Sequence, residues 1–198
     1  QHIANYPGVT VDKKTGFYRG DAGEVEVVDL PGTYSLTAFS LEERVARRFL
    51  LEDRPDVVVN VLDAANLRRG LYLTFQLLEL GLPVVVVLNM MDVADRRGLA
   101  IDRAALERRL GVPVVATVGR RGTGTAELRA AIDRVAARPR PQAATLNYGP
   151  LEDDLVALQR ALAATGELAH AVPPRWLAVK LLEDDPEAER RLAAHVDN

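Results

Sequence analysis

The chain has 198 residues with a net charge of −3 and 48% apolar residues, enough for one ordinary domain and a small appendage. The slight acidic excess gives no electrostatic case for nucleic acid or an anionic membrane surface, and the lack of cysteine excludes a disulfide framework and a cysteine-based metal site. The longest apolar run, Leu82 to Leu88, is too short to span a bilayer, and Gln1 opens no signal-peptide pattern, so a soluble chain, or a soluble part of something larger, is expected.

Gly16 to Arg19 and Glu24 to Val28 read as two strands of a hairpin turning at Gly20-Asp21-Ala22-Gly23. Ser40 to Leu51 is helical, with Ser40 as N-cap and Glu42 and Glu43 placed to favour the helix N-terminus. Val57 to Leu62, Pro83 to Leu88 and Val112 to Ala116 are near-continuous valine runs, as parallel strands covered on both faces tend to be. Helical patterns at Leu67–Leu80, Asp102–Leu110 and Thr125–Ala137 alternate with them, the first two closed by Gly81 and Gly111. This alternation predicts an α/β fold, a doubly wound and mostly parallel sheet of the P-loop-GTPase kind. Arg138-Pro139-Arg140-Pro141-Gln142 is a linker by composition. Beyond it only helices follow: one through Leu151, Leu155, Leu158 and Leu162, one from Pro173-Pro174 through Trp176 and Leu182, and one opened by Asp185-Pro186. The expected division is 1–137 for the α/β domain, 138–146 for the linker and 147–198 for a small, incomplete all-α domain. His2, His170 and His195 are far apart and show no ligand spacing.

In open parallel sheets, ligands bind at the carboxyl ends of strands, and three strands here end in polar words. Asp29-Leu30-Pro31-Gly32 fits an Asp-x-x-Gly, in which Asp29 holds Mg²⁺ and Gly32 lets a backbone N–H approach a γ-phosphate. Asn89-Met90-Met91-Asp92 fits an Asn-x-x-Asp, in which Asp92 accepts from guanine N1–H and the 2-amino group while Asn89 contacts the base and braces neighbouring loops. Alone, the first reads more readily as a strand ending in a Pro-Gly turn, and the second equally as a helix cap after a strand. Together, in order and at strand ends, they favour a guanine-nucleotide fold. Thr10, in Gly8-Val9-Thr10-Val11-Asp12, is a candidate switch threonine whose hydroxyl would ligate Mg²⁺ beside Asp29. Thr117 ends the third strand. Gly122-Thr123-Gly124 lacks the lysine and the spacing of a phosphate loop and reads as a turn. No Gly-x-x-x-x-Gly-Lys-Ser/Thr occurs from Gln1 to Asn198.

These words, with Asn5-Tyr6-Pro7-Gly8-Val9-Thr10, Val28 to Leu36, Asp63 to Thr74 and Pro174 to Leu182, resemble the bacterial ferrous iron transport protein B family over nearly the whole chain. Met90, where most GTPases carry lysine, is similar to this family. The resemblance implies a cytoplasmic GTPase domain with a helical domain, soluble here but working at the cytoplasmic face of the inner membrane. It implies GTP and GDP as ligands, Mg²⁺ as cofactor, and as partners the transmembrane iron-permeation domain and small cytoplasmic Feo accessory proteins, without nucleic acid. K⁺ remains an open candidate, because the loop that bears on it is not in the chain. Gly8 to Asp12, Asp29 to Gly32, Asn89 to Asp92 and Thr117-Val118-Gly119 would bind the nucleotide, with Thr10, Gly32 and Thr33 acting in catalysis. Thr33 stands where Ras-like proteins keep a water-positioning glutamine, so hydrolysis is expected to be slow. Val118-Gly119 replaces the usual Ser-Ala, which removes a hydroxyl contact and leaves backbone donors. The competing expectation is a nucleotide-free regulatory fragment without GTPase activity, for want of the phosphate loop.

Overall fold

The computed structural model describes residues 2–6, 12–21, 23–37, 39–163 and 172–196. Three strands, β1 (His2–Asn5), β2 (Asp12–Gly20) and β3 (Gly23–Asp29), form an antiparallel meander. Three more, β4 (Val58–Asp63), β5 (Val84–Asn89) and β6 (Val114–Ala116), form a parallel sheet in the order β4-β5-β6. Among the described residues the α-helices are α1 (Leu41–Glu52), α2 (Leu67–Glu79), α3 (Met91–Arg96), α4 (Arg103–Leu110), α5 (Thr125–Ala136), α6 (Glu152–Ala163), α7 (Pro174–Leu182) and α8 (Pro186–Val196).

The valine run of β5 is buried on both faces because each face has a cover. Val84, Val86 and Leu88 pack with Leu62 and with Leu77 of α2. Val85 packs with Val115 and with Ala131 and Val135 of α5. A fully buried valine stabilises by roughly 1.5 kcal/mol or more, so this strand anchors the fold. Buried Asn60 of β4 is satisfied, its Nδ2 donating to Thr74 Oγ1 at 2.8 Å.

The doubly wound sheet is present in two pieces. Among the described residues no ladder joins β3 to β4, and each of the two strands is paired along one edge only. Val27 of β3 is 49% exposed and Val61 of β4 is 59% exposed, so both carry apolar side chains that their own sheets leave uncovered.

Helix ends follow the sequence chemistry. Ser40 Oγ accepts from Glu43 N, and the Glu43 carboxylate accepts from Ser40 N, which is a full capping box at α1. Asp102 caps α4 by accepting from Ala105 N at 2.8 Å, and Gly111 ends that helix at φ 70°. Asp185 accepts from the N–H groups of Glu187 and Ala188, both at 3.0 Å, as expected of an N-cap.

The helical segment does not fold around a core of its own. Leu155, Leu162, Trp176 and Leu177 share one buried cluster with Leu36, Leu50 and Leu77. The stretch read as a linker is docked as well: Arg140 donates to the carbonyls of Arg54 and Pro55, and Ala144 N donates to Leu78 O at 2.9 Å.

Candidate nucleotide site

The parallel sheet brings two of the expected words together. Asp63 and Asn89, the last residues of β4 and β5, lie opposite each other in register. Asn89 Oδ1 accepts from Thr117 Oγ1 at 3.1 Å and from Gly119 N at 2.9 Å, so Asn89 ties the end of β5 to the loop after β6. Thr117 returns the connection, its N–H donating to Leu88 O at 2.8 Å and its carbonyl accepting from Met91 N at 3.3 Å. Gly124 closes this loop at φ 82°, where an added Cβ would stand 2.1 Å from Ala116 O, so only glycine fits. That close approach explains Gly122-Thr123-Gly124 as a turn. Val118 bridges to Thr123 across it.

Met90 sits between the two polar residues of its word in the left-handed conformation, at φ 61° and ψ 32°. For a non-glycine residue this costs about 1–2 kcal/mol. Asp92 follows in the first turn of α3. Its Oδ2 accepts from Arg120 Nη2 at 2.6 Å and from Arg96 Nη1 at 3.1 Å. These guanidinium hydrogen bonds, that of Arg120 foremost, hold the Asp92 carboxyl below the ordinary carboxylate range.

The other word ends the antiparallel sheet. Asp29 pairs in register with Lys14, and its carbonyl accepts from Tyr6 Oη at 3.0 Å. Burial, then the neighbouring Asp29 and Asp53, push the Tyr6 hydroxyl up to about 12. A Cβ placed on Gly32 would meet nothing within 4 Å, so the protein's own packing does not demand glycine there. Thr33 Oγ1 donates to Ser35 O at 2.6 Å and accepts from Ser35 N, which commits its hydroxyl to a local turn. Tyr34 lies under the Arg69 guanidinium, 3.5 Å from its ring centroid.

Among the described residues no hydrogen bond links Asp29–Gly32 to Asn89–Asp92. Thr10, Gly8, Val9 and Val11 lie outside the described residues, and of Asp12 only the backbone, at the start of β2, is described. No group of three or more His, Cys, Asp or Glu side chains forms a metal cage among the described residues. One strand-end carboxylate such as Asp29 fits Mg²⁺ all the same, because that ion is commonly held by one or two carboxylates together with substrate phosphates and water. Two clefts lie elsewhere. One of about 270 Å³ borders Leu50, Leu82 and Val172, and one of about 210 Å³ lies between α2 and α7 beside Tyr72, Glu79 and Lys180. Neither cleft is lined by the polar words, which stand on a ledge of loops at the strand ends.

Two family models cover the chain: ferrous iron transport protein B over residues 1–132, and the FeoB cytosolic helical domain over residues 148–198. The chain belongs to the ferrous iron transport protein B family. It is 44% identical over 96% of its length to a Porphyromonas gingivalis Fe(2+) transport protein A/FeoB fusion protein, covering 23% of that protein. It is 41% identical over 93% of its length to the Escherichia coli K12 Fe(2+) transporter FeoB, covering 24% of it. The chain thus spans about a quarter of these relatives. Among solved structures it resembles the cytosolic domain of the T. maritima FeoB iron transporter in its GMPPNP form, at 34% identity and a TM-score of 0.89, over 99% of this chain and 75% of that one. The cytosolic domain of L. pneumophila FeoB matches with 35% identity and a TM-score of 0.87, over 99% and 77% respectively.

Beside the FeoB words the structure adds residues that spacing does not mark. Leu36, at the end of the Asp29 segment, is gripped on both backbone groups: its N–H donates to Gln76 Oε1 at 2.7 Å, and its carbonyl accepts from Arg47 Nη1 at 3.4 Å. The same Arg47 nitrogen meets Asp185 Oδ2 at 2.5 Å, with the two side chains 0% and 2% exposed. Burial alone would push Asp185 up, but the Arg47 guanidinium and the Ala188 and Glu187 N–H groups hold its carboxyl below the usual range. The Arg47 guanidinium also lies over Trp176, 4.9 Å from the ring centroid. Glu43 binds Ser35 Oγ at 2.7 Å as well as its own cap, fixing the same segment from α1. The signal for these residues was polar side chains on buried helix faces, which cannot be paired before the fold is known.

Proposed function

We propose that this chain is the guanine-nucleotide-responsive part of a ferrous iron transporter, binding GTP and GDP and passing their difference to the helical domain. The observation that carries this reading is Asp92 standing beside a Thr117–Gly119 loop that Asn89 holds in place. In that arrangement Asp92 accepts from the guanine N1–H and 2-amino group, which adenine does not offer. The backbone of Thr117, Val118 and Gly119 borders the base, and Met90 and Met91 flank it. On the phosphate side, Leu30, Pro31 and Gly32 carry the backbone toward the γ-phosphate, and the family resemblance assigns Gly8, Val9, Val11 and Asp12 to the other switch. Thr10 and Asp29 would hold Mg²⁺, which neutralises phosphate charge when bound. Hydrolysis is slow in this reading, because the Thr33 hydroxyl is engaged with Ser35.

Leu36 is the exit from the phosphate side. A shift of the Asp29–Thr33 segment pulls on Leu36, and Leu36 is held by Gln76 and by the Arg47–Asp185 pair that reaches α8. Nucleotide state then reaches residues 147–198 through this junction, and from there a membrane pore at the cytoplasmic face of the inner membrane. Relatives whose structures carry GMPPNP or GDP, and relatives described as Fe(2+) transporters, support the assignment of ligand and cargo.

The test is binding of fluorescent GDP, ADP and XDP to the full-length protein and its Asp92→Asn variant. Guanine preference in the wild type, with a switch toward XDP in the variant, is expected, since an asparagine amide can donate to the xanthine 2-oxo group. Equal binding of GDP and ADP by the wild type overturns the reading.

A further inference from the structure

We propose that Arg120 is a built-in competitor of the guanine base for Asp92, an internal stand-in that weakens nucleotide binding. The inference rests on the reading of Asp92 as the base-reading carboxylate. Guanine presents N1–H and the 2-amino group as a planar fork of donors. A guanidinium is also a planar fork of donors, suited to the same carboxylate. Arg120 already places Nη2 on Asp92 Oδ2 at 2.6 Å. A base that pairs with both carboxylate oxygens needs that oxygen.

The two pairings of Asp92 differ in kind. Arg96 reaches it from four residues along the same helix, α3. Arg120 reaches it from the other loop, immediately after Gly119, whose N–H is fixed to Asn89. Its ion pair therefore closes one base-side loop onto the other. The Asp92 side chain is 12% exposed while that of Arg120 is 66% exposed. The acceptor is largely covered, and the donor is free to leave into water. This is the asymmetry that a displaceable occupant needs. Binding then selects the fraction of molecules in which Arg120 has swung away, and the apparent affinity falls by that fraction. For a pair with one solvent-exposed partner the reduction is about 3- to 5-fold. Adenine does not use Asp92, so its binding carries no such penalty.

The experiment compares Arg120→Ala with Arg121→Ala in the full-length protein, by stopped-flow binding of fluorescent GDP and ADP. Arg121 adjoins Arg120 in the 3-10 turn Gly119–Arg121 and makes no ion pair with Asp92. Removing it controls for the loss of one positive charge from the same base-side loop. Arg120→Ala is expected to bind GDP about 3- to 5-fold tighter, with ADP and the Arg121→Ala variant unchanged. The gain is expected to shrink in 0.5 M salt, where the ion pair is screened. An Arg120→Ala variant that binds GDP no tighter than Arg121→Ala, or more weakly, overturns the proposal. If Asp92→Asn still loses guanine preference in that case, the base reading stands and only the competitor falls. A wild type that binds GDP and ADP alike overturns both.

Discussion

Two clusters of charged groups in this molecule are built in opposite ways. At the base-side loops, Asp92 takes its guanidinium partners from the solvent side, and either can leave without opening the core. At the junction of α1, α7 and α8, Arg47 and Asp185 are sealed from water under Trp176 and locked onto the Leu36 carbonyl. Exposed ion pairs contribute little to stability, so their geometry is open to a ligand. Buried pairs are costly to break, so their geometry is transmitted rather than exchanged. The ledge that would meet the nucleotide is soft, and the post that would carry its signal is stiff.

The sharpest way to break this contrast is Arg47→Met. It leaves Asp185 charged, buried and unpaired, and a loss of about 3–5 kcal/mol in urea denaturation is expected. Arg47→Met combined with Asp185→Leu should recover much of that loss, because the stranded charge is then gone. A double variant as damaged as the single one would mean that packing, not charge pairing, dominates the junction. Ser40→Ala is next. Losing the capping box should cost about 1 kcal/mol, and hydrogen exchange should quicken at Ser35 and Leu36, because Glu43 anchors the cap and that segment at once.

Glu79 gives the smallest effect and a sign. It is 4% exposed, and burial foremost raises its carboxyl above the ordinary range even though Tyr148 Oη donates to it at 2.9 Å. A carboxyl raised in the folded state contributes stability below its unfolded pKa and loses it as pH rises through the folded value. Glu79→Gln, which keeps an acceptor for Tyr148, should therefore melt higher than wild type at pH 8, and the two curves should converge near pH 4. Equal melting temperatures at pH 8 would show that the charged form is already compensated by Arg175 and Lys180.

The elements with a strong local cause were legible in the sequence. Ser40 with Glu43, Asp102, Gly111 and Asp185 each announce a helix end, and the valine run of β5 announces burial on both faces. The meeting of Asn89 with Thr117 and Gly119 was also within reach, because strand ends in one parallel sheet collect at one side. The six-residue helix α3 was marked only by the helix-cap alternative for Asn89–Asp92, since it begins inside that word and has too few residues for a hydrophobic period. Arg47 was hidden for another reason. It is the third charged residue in Glu43-Arg44-Val45-Ala46-Arg47, and its partner stands 138 positions away. Arg120 differs from Arg121 only in which way its side chain turns, and no spacing rule distinguishes them. Leu36 owes its place to helices outside its own neighbourhood, so no local pattern could have marked it as a relay.

Met90 has a consequence for timing. A thioether side chain held at φ 61° between Asn89 and Asp92 has no relaxed alternative that keeps both neighbours where they are, since rotation into the right-handed region would swing the start of α3 away from Thr117. The turn is therefore set by the protein's own contacts, from Met91 to Thr117 and from Gly119 to Asn89. In the proposed reading, a base arriving at this ledge meets a backbone that is already set and has only side chains to wait for, so its entry should be timed by arginine rotation and not by rearrangement of the loop.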